Sequence, residues 1–384
     1  MKKVLIFGST GSIGRNALAV IRKTKNEFKV IGLTANKDIT TLKRQIKEFH
    51  PSYVCVNDEA RAKRLKSELP KGIKLFVGQK GLLEFSSLES DISLMAISGV
   101  SSLLPLLENI KYTKRVALAN KESLVTAGDL VFKKATKHNT EILPVDSEIN
   151  ALFQLFEEKR SLTNGSLGKV YLTASGGALF GYKQKDLSRV SVSEVLNHPT
   201  WKMGARITVD SATLINKAFE VIETHFFFGL PYEKIDILLH RESAIHALVE
   251  KTDGTLFACI YPPDMKMPIS FALHYPKRKA QNQKINFRGS FSYNFKPIPY
   301  ASYPLLRIVL EAAKKQDNGL AVLNASDEVA IDHFLKGKIK FTDIYKIIAH
   351  ISKIYPSCDI KNVNDVLYWD KWARRKTEER INKL

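Results

Sequence analysis

The chain has 384 residues and a formal net charge of +20, with 44% hydrophobic and 26% charged residues, which is typical of a folded protein rather than a disordered one. Its length exceeds what one hydrophobic core usually serves, so two or three domains are expected. No apolar run approaches the roughly 20 residues of a membrane span, and the apolar start at residues 4–7 reaches Gly8 too soon for a signal peptide. We therefore expect a cytoplasmic protein without a membrane partner.

The excess of lysine is spread along the whole chain and forms no basic block interleaved with aromatic residues. A lysine-rich surface explains this pattern, so no nucleic-acid partner is expected, although a positive field would help to collect small anionic substrates. The three cysteines lie far apart at positions 55, 259 and 358, without metal-ligand spacing. No disulfide framework is indicated, which fits a reducing compartment.

The first segment has the order strand, glycine turn, helix, strand. An apolar run over residues 3–7 precedes Gly8-x-x-Gly11-x-x-Gly14, a helical pattern follows, and residues 28–33 form the second strand. In such a unit the backbone amides at the helix start can hold a pyrophosphate, so the turn predicts a dinucleotide site. An ordinary tight turn is the alternative.

The residues after the second strand indicate which nucleotide binds. A site selective for NADH usually has an acid there to accept the ribose hydroxyls, but Lys37 offers a positive charge, which favours NADPH. Asp38 lies next to Lys37 and is an acid of the kind that accepts the ribose hydroxyls, so NADH stays an alternative cofactor. Further strands are predicted over residues 53–56, 93–97, 115–118 and 141–145. They alternate with helical patterns, as in a doubly wound parallel sheet.

An acidic pair, Asp146 and Glu148, follows the 142–145 strand. In an extended chain residues two apart point to the same side, and Glu220 could complete an oxygen-rich site for Mg²⁺ or Mn²⁺. A turn or a helix cap is the alternative for this pair. Lys121 follows the 115–118 strand at the edge where such folds bind ligands, as a catalytic group or as a solvated lysine at a helix start.

The segment 209–226 predicts one amphipathic helix that begins near Ser211. Its apolar residues recur at helical spacing, and Asn216, Lys217 and Glu220 share the neighbouring surface. A phosphate near Ser211 and a cation near Glu220 would suit this arrangement, because a helix start attracts anions. A solvated face with a Lys217–Glu220 pair is the alternative.

Two further regions complete the pattern. The loop from His198 to Gly204 places Trp201 between proline and glycine, which suggests a lid, although Trp201 could instead fill a gap in the core. Helical patterns occupy 305–313, 326–335, 343–354 and 363–381. Residues 276–299, between this region and the preceding one, are rich in Lys, Gln, Asn and Pro, as in a connector.

Several blocks in order resemble one known family, the 1-deoxy-D-xylulose 5-phosphate reductoisomerases. Besides the glycine turn, they are Leu118–Leu124, Pro144–Glu148, Thr173–Gly177, His198–Gly204, Val209–Thr213, Asn216-Lys217, Glu220, Pro263–Met265 and Leu323–Glu328. The resemblance implies an NADPH-dependent oxidoreductase of non-mevalonate isoprenoid biosynthesis. It would convert 1-deoxy-D-xylulose 5-phosphate, a small phosphorylated sugar, into 2-C-methyl-D-erythritol 4-phosphate with Mg²⁺ or Mn²⁺, or with Co²⁺ as a further candidate.

The resemblance also implies a division of the chain and an assembly. It gives a Rossmann-like NADPH-binding domain over 1–144, an α/β catalytic domain with the lid over 145–275, a connector over 276–302 and a helical domain over 303–384. The family further implies a homodimer.

Site residues follow from the matching blocks. Metal ligands would be Asp146, Glu148 and Glu220, which with Lys121 form the catalytic set. The substrate would contact Lys121, Ser147, Glu148, Ser175, His198, Trp201, Met203, Ser211, Asn216, Lys217 and Glu220. The cofactor would contact Gly8, Thr10, Gly11, Ser12, Ile13, Asn36, Lys37, Asp38, Asn120, Glu122 and Gly204.

The chain departs from the family pattern at three places. Ile149 stands where a histidine is common, Ala178 and Leu179 replace the usual Pro and Arg, and residues 240–243 read His-Arg-Glu-Ser instead of His-Pro-Gln-Ser. We interpret these as lineage variation, with a paralogous NADPH oxidoreductase for another phosphorylated sugar-like substrate as the alternative. Two further alternatives are a metal-free oxidoreductase and a nucleic-acid binder. Activity that persists in a chelator would identify the former, and salt-sensitive binding of nucleic acid without NADPH oxidation would identify the latter.

Overall fold

The computed structural model describes residues 1–24, 26–157, 165–280, 284–286, 288–290 and 292–384. Contacts divide the chain into two compact units. The first comprises Met1–Ser123, Val131–Asn150 and Asp264–Asn282, and the second comprises Leu124–Leu130, Ala151–Pro263 and Gln283–Leu384. The four-part division expected from the sequence stays a prediction. Within the described ranges no helix combines the length and the apolar character needed to cross a membrane.

The first unit contains a seven-stranded parallel sheet in the order β4-β3-β2-β1-β5-β6-β7. Its strands are β1 (Lys2–Phe7), β2 (Phe28–Ala35), β3 (Tyr53–Val56), β4 (Lys74–Val77), β5 (Ser90–Met95), β6 (Thr113–Leu118) and β7 (Glu141–Pro144). Its helices are α1 (Ser12–Lys23), α2 (Ile39–Phe49), α3 (Glu59–Lys66), α4 (Gly78–Ser86), α5 (Leu103–Asn109) and, later in the chain, α11 (Lys266–His274). Helices α6 (Glu122–His138) and α7 (Ser147–Glu157) begin in this unit.

The predicted doubly wound sheet is confirmed. The central strand β1 buries Val4 to Phe7 completely, as expected for a parallel sheet covered on both faces. Strand order reverses between β1 and β5, and such a switch point opens a crevice at the carboxyl ends of the strands. Strand β4 was not predicted, because its four residues at the sheet edge include Lys74 and the exposed Val77 and give no clear alternation.

The second unit contains a five-stranded sheet in the order β11-β10-β8-β9-β12. Its strands are β8 (Leu167–Ala174), β9 (Ile235–Leu239), β10 (Ile245–Lys251), β11 (Leu256–Ile260) and β12 (Lys296–Pro297). Only β8 and β9 run parallel in the described part of this sheet. Helices α8 (Val192–Leu196), α9 (Ala205–Thr213) and α10 (Ile215–Phe228) lie between β8 and β9 in the chain.

The C-terminal region is helical, as predicted. Its helices are α12 (Pro304–Lys315), α13 (Gly319–Leu335), α14 (Phe341–Ile354) and α15 (Val363–Ile381). Helix α13 packs against both α14 and α15. It begins seven residues before the predicted start at 326, because most of its residues are buried and a helix that is buried on most sides shows no single apolar stripe in the sequence.

Candidate active site

The glycine turn is built for close backbone approach. Gly8 has φ +79, and a Cβ there would lie 2.5 Å from the Ala96 carbonyl oxygen. A Cβ at Gly14 would lie 2.4 Å from the Gly8 carbonyl oxygen. Both positions therefore require glycine, and helix α1 begins directly behind the turn, where Gly11 is its N-cap without a side-chain hydrogen bond.

A cavity of about 280 Å³ lies at the carboxyl edge of the first sheet, at the switch point. It is lined by Gly8, Thr10, Gly11, Thr34, Ala35, Asn36, Cys55, Asn57, Gln79, Leu82, Ala96, Ile97, Ser98 and Ser101. Four of the predicted cofactor residues thus line one cavity, and two more, Ser12 and Ile13, form the first residues of α1. Such an arrangement can hold a nucleotide at a helix start.

The residues after β2 differ in what their side chains do. Asn36 and Lys37 are exposed. Asp38 caps helix α2, where its Oδ1 accepts a hydrogen bond from the Thr41 amide at 2.9 Å, and its Oδ2 pairs with Arg15 at 3.3 Å. Asp38 is therefore engaged by neighbours, which weakens the case that it selects NADH. Sequence reasoning missed Arg15, although it follows the third glycine of the turn directly.

Asn120 and Glu122 brace the loop after β5. The Asn120 amide donates to the carbonyl oxygens of Ile97 and Gly99 at 2.9 and 3.1 Å and to the Glu122 carboxylate at 2.7 Å. Glu122 in turn accepts a hydrogen bond from the Gly99 amide at 2.8 Å. These two predicted cofactor residues therefore hold in place a loop whose Ile97 and Ser98 line the cavity.

Lys121 is a buried ion-pair partner, so the alternative of a solvated lysine is wrong. Its side chain is 8% exposed and its ammonium group pairs with the Asp146 carboxylate. Asp146 also accepts backbone hydrogen bonds from Glu148 and Ile149 at 3.1 and 3.4 Å. A buried lysine beside a carboxylate can donate a hydrogen bond or a proton to a substrate oxygen.

The Asp146–Glu148 pair is not extended, and that expectation was wrong. Asp146 caps helix α7, and Glu148 lies in the first helical turn, where the Ser147 hydroxyl donates to its carboxylate. The cap satisfies amides that would otherwise lack partners at the helix start. Ile149, which replaces the family's usual histidine, is fully buried.

The second unit carries a buried pair, Lys217 and Glu220, in the first turns of α10. Their side chains are 4% and 2% exposed, and the ammonium group of Lys217 contacts both the Glu220 carboxylate and the Thr173 carbonyl oxygen. The Asn216 amide donates to the other Glu220 oxygen at 2.7 Å. The alternative of a solvated face is therefore wrong, and the three predicted side chains lie together.

Ser211 does not begin a helix, contrary to the prediction. It lies in the last turn of α9, and Leu214 with φ +60 separates this helix from α10, which begins at Ile215. A left-handed leucine cannot be recognised from helical periodicity, because the apolar spacing continues across it. The helix start that can attract an anion is consequently that of α10, with Asn216 and Lys217 in its first turn.

A second glycine turn lies against the end of α9. Gly176 and Gly177 both have positive φ, and a Cβ at Gly177 would lie 2.7 Å from the Ser211 carbonyl oxygen and from the Ala212 Cα. Only glycine permits this approach. Ser175 directly precedes this turn in the chain. The turn therefore holds Ser175 near the segment that contains Ser211.

Helix α9 is also tied to α13 through Arg206. Its guanidinium donates to Glu328 at 2.6 Å and to Asn324 at 2.9 Å. This contact gives a structural role to the 323–328 block. It could not be predicted from sequence patterns, because Arg206 lies more than 100 residues before Asn324 and Glu328 in the chain.

The predicted lid loop is organised around His198. The Nδ1 atom accepts hydrogen bonds from the Thr200 and Trp201 amides at 3.2 and 2.9 Å, so Nε2 carries the proton and lies 2.9 Å from the Ser175 hydroxyl. Burial lowers the pKa of His198 below its ordinary value, and the charge of Arg241 lowers it further. A neutral imidazole is thus built into the loop, and its N–H can donate to an anion.

The remaining lid residues are partly covered. Trp201 and Met203 are half-buried, and the indole lies edge-on to His246 with ring centroids 6.2 Å apart. Gly204 is exposed, with open space where a Cβ would be, and is the N-cap of α9.

Comparison with known proteins decides the family. A family model described as 1-deoxy-D-xylulose 5-phosphate reductoisomerase matches residues 4–128, and models of C-terminal domains of the same enzyme match 142–228 and 260–376. The reductoisomerase of Thermodesulfovibrio yellowstonii is 43% identical over 383 residues, which cover 99% of this chain and 100% of the relative. The chain belongs to the 1-deoxy-D-xylulose 5-phosphate reductoisomerase family.

Further relatives agree in length and fold. The reductoisomerase of Caldanaerobacter subterraneus subsp. tengcongensis is 42% identical and covers 98% of both chains. A solved DOX-P reductoisomerase in complex with NADPH, fosmidomycin and magnesium has a TM-score of 0.93 at 33% identity, covering 100% of this chain and 98% of that one. The Zymomonas mobilis enzyme in complex with NADPH has a TM-score of 0.91 at 34% identity and covers both chains completely. The family and the fold class predicted from the sequence are confirmed.

Proposed function

We propose that the chain catalyses the NADPH- and divalent-metal-dependent conversion of 1-deoxy-D-xylulose 5-phosphate into 2-C-methyl-D-erythritol 4-phosphate, in non-mevalonate isoprenoid biosynthesis. The observation that carries this proposal is family membership over almost the full length, at 43% identity, with every proposed ligand side chain present. The departures at residues 149, 178–179 and 240–243 leave those side chains intact, so a paralogue with another substrate is not favoured.

NADPH is proposed to bind at the carboxyl edge of the first sheet. The two solved relatives that contain NADPH support this choice of cofactor. The pyrophosphate would lie at the Gly8–Ile13 turn, and the exposed Lys37 would meet the 2′-phosphate that NADH lacks. Asn120 and Glu122 would act by shaping the neighbouring loop, and Gly204 is the remaining proposed contact.

Asp146, Glu148 and Glu220 are proposed to bind the metal ion. Each can offer a carboxylate oxygen, and hard oxygen donors suit Mg²⁺ or Mn²⁺, with Co²⁺ as a further candidate. Solved relatives with magnesium support this assignment. When bound, the ion would polarise the substrate carbonyl as a Lewis acid.

Lys121 is proposed to stabilise or protonate the aldehyde oxygen of the substrate during the reaction. The overall reaction rearranges the carbon skeleton to an aldehyde and then moves a hydride from NADPH to the aldehyde carbon, so the aldehyde oxygen must gain a proton. Lys121 is buried and hydrogen-bonded to Asp146, and its ammonium can stabilise the oxyanion or supply that proton. Ser147, which donates to Glu148, would orient that carboxylate.

The phosphate group is proposed to bind in the second unit. The Ser175 hydroxyl, the His198 Nε2–H and the first turn of α10 with Asn216 and Lys217 all offer donors there, and Ser211 lies one turn earlier in the chain. When the substrate binds, Lys217 and Asn216 can donate hydrogen bonds to phosphate oxygens instead of to Glu220. Such bonds are favourable because charge-assisted hydrogen bonds to an anion are stronger than neutral ones.

The His198–Gly204 loop is proposed to close over the substrate, with Trp201 and Met203 as its cover. Binding should favour closure, because the substrate offers a phosphate to His198 and a surface to the indole. The test uses a phosphonate–hydroxamate analogue with Mg²⁺; its hydroxamate oxygens stand in for the chelating substrate oxygens and its phosphonate for the phosphate. Trp201 fluorescence and proteolytic nicking of the loop should both change. If neither changes while calorimetry shows binding, the loop is static.

A homodimer, a cytoplasmic location, the predicted lack of nucleic-acid and membrane partners, and the four-part domain division remain part of this proposal. The family implies the dimer and the division, and light scattering of the purified protein would measure the mass of the assembly.

The decisive experiment is NADPH oxidation with 1-deoxy-D-xylulose 5-phosphate, with and without Mg²⁺, combined with identification of the product by NMR. Turnover that stops on chelation and resumes with added metal is expected. NADPH oxidation that persists in chelator would indicate a metal-free oxidoreductase, and a different product would indicate a paralogue.

A further inference from the structure

Arg15 lies in the first turns of α1, directly after the glycine turn, and its side chain reaches the start of α2. Its Nη2 contacts Asp38 Oδ2 at 3.3 Å. The other Asp38 oxygen, Oδ1, accepts the hydrogen bond from the Thr41 amide at 2.9 Å. Both oxygens of the acid nearest to the expected ribose site are thus engaged, one by the helix cap and one by the guanidinium.

This arrangement changes what Asp38 does to a nucleotide. An acid after the second strand normally accepts the ribose hydroxyls of NADH and repels a 2′-phosphate. Here the carboxylate is directed to the α2 cap, and Arg15 balances its negative charge. Lys37 lies next to Asp38 in the chain and is exposed, so two cations stand beside one neutralised acid.

A second arginine of α1 provides an internal comparison. Arg22 follows Arg15 by seven residues, so it lies two turns later on the same helix face and also reaches α2. It uses Nε and Nη2 to hold both oxygens of Glu48, at 2.5 and 2.9 Å. Arg15 gives its carboxylate a single hydrogen bond from Nη2. Since a guanidinium has five N–H donors, Arg15 retains donors for another anion, and its side chain is 59% exposed.

We propose that Arg15 binds the 2′-phosphate of NADPH and, together with Lys37, makes this chain select NADPH over NADH. The inference rests on the proposed function, because it assumes that a dinucleotide binds at this turn. A guanidinium suits the role, since it forms paired hydrogen bonds with phosphate oxygens and stays charged at all relevant pH values. Asp38 then acts as a positioning residue that holds the guanidinium beside the β2–α2 loop.

The test measures binding of NADPH and NADH separately to the metal-free, substrate-free full chain, by calorimetry. The variants are Arg15→Gln, Arg15→Lys and the matched control Arg22→Gln, which removes the same charge from the other α1–α2 pair. For Arg15→Gln we expect the Kd for NADPH to rise about tenfold, equivalent to about 1.4 kcal/mol. The Kd for NADH should change less than about twofold, since it carries no 2′-phosphate. Arg15→Lys should lose less than Arg15→Gln, and Arg22→Gln should leave both constants unchanged.

A second probe, 2′,5′-ADP, carries the 2′-phosphate without the nicotinamide and should show the same loss in Arg15→Gln. Equal losses for NADPH and NADH would mean that Arg15 only supports the fold, and no loss for either would remove it from the site; both results overturn the inference. Wild-type protein that binds neither dinucleotide would instead overturn the proposed function, so the two failures can be told apart.

Discussion

Replacing Glu220 by glutamine tests the most buried of the proposed metal ligands. In the folded protein its two oxygens accept hydrogen bonds from two donors, the Lys217 ammonium and the Asn216 amide. A glutamine side chain keeps one acceptor oxygen and presents an NH₂ group to the other donor. One donor therefore loses this acceptor, and the buried Lys217 ammonium loses the negative charge of Glu220 while it keeps its contact with the neutral Thr173 carbonyl oxygen.

The size of the effect follows from burial. Removing one partner of a buried ion pair costs about 3 to 5 kcal/mol, because the remaining charge is left uncompensated. With Lys217 at 4% exposure and one hydrogen bond retained by the glutamine, we expect a loss near the lower end, about 3 kcal/mol of unfolding free energy. Turnover should fall at least about 100-fold, since replacing a direct metal ligand should lower activity no less than replacing a residue that only supports a ligand does.

The assay separates stability from chemistry by means of a second variant. Urea denaturation of Glu220→Gln is compared with that of the double variant Lys217→Met/Glu220→Gln, in which the buried ammonium is removed together with the carboxylate. The double variant should recover most of the lost stability and remain inactive, while NADPH binding stays largely intact in both. Wild-type turnover of Glu220→Gln at limiting Mg²⁺ would remove Glu220 from the metal site, and wild-type stability would refute the reasoning about the buried pair.

Three further predictions concern the cofactor, the lid and a turn. Lys37→Ala should weaken NADPH about tenfold and NADH much less, since a hydrogen bond to a charged group is worth about 1.5 to 3 kcal/mol and Lys37 is exposed; equal losses in a titration would contradict this. Because the pKa of His198 is lowered in the fold, its contribution to stability is present above the ordinary value near 6.5 and is lost as the pH falls through the lowered value. Proteolysis near Trp201 should thus increase on acidification, and His198→Asn, whose amide oxygen can accept from the same backbone amides, should be insensitive to pH. Gly177→Ala should lower the unfolding free energy by well over the roughly 1 to 2 kcal/mol that a left-handed backbone costs a residue other than glycine. Gly181→Ala should lose only that amount, because Gly181 also has positive φ but open space around it. Equal thermal shifts in the two variants would mean that the close contact at Gly177 is relieved.

Local sequence patterns determined the elements whose cause is local. Strand β3 and helix α15 have the predicted bounds, because an apolar run between turn residues and a capped amphipathic pattern are properties of neighbouring residues. The glycine turn was equally readable, since positive φ and close backbone approach select glycine directly. The family could be recognised for a related reason, as each block contains residues whose chemistry permits few substitutes.

Tertiary structure decided how those residues are used. The break at Leu214 is invisible to periodicity because the buried leucine keeps the apolar spacing while its backbone turns left-handed. The burial of Lys121 and the cap formed by Asp146 depend on β6 and β7 ending side by side, which a pattern of separate strands does not reveal. The pairing of Arg15 with Asp38 likewise requires α1 and α2 to meet. A sequence lists the charged groups of this protein, but only the fold determines which of them are buried, and burial decides whether a charge is a solvated surface group or part of a site.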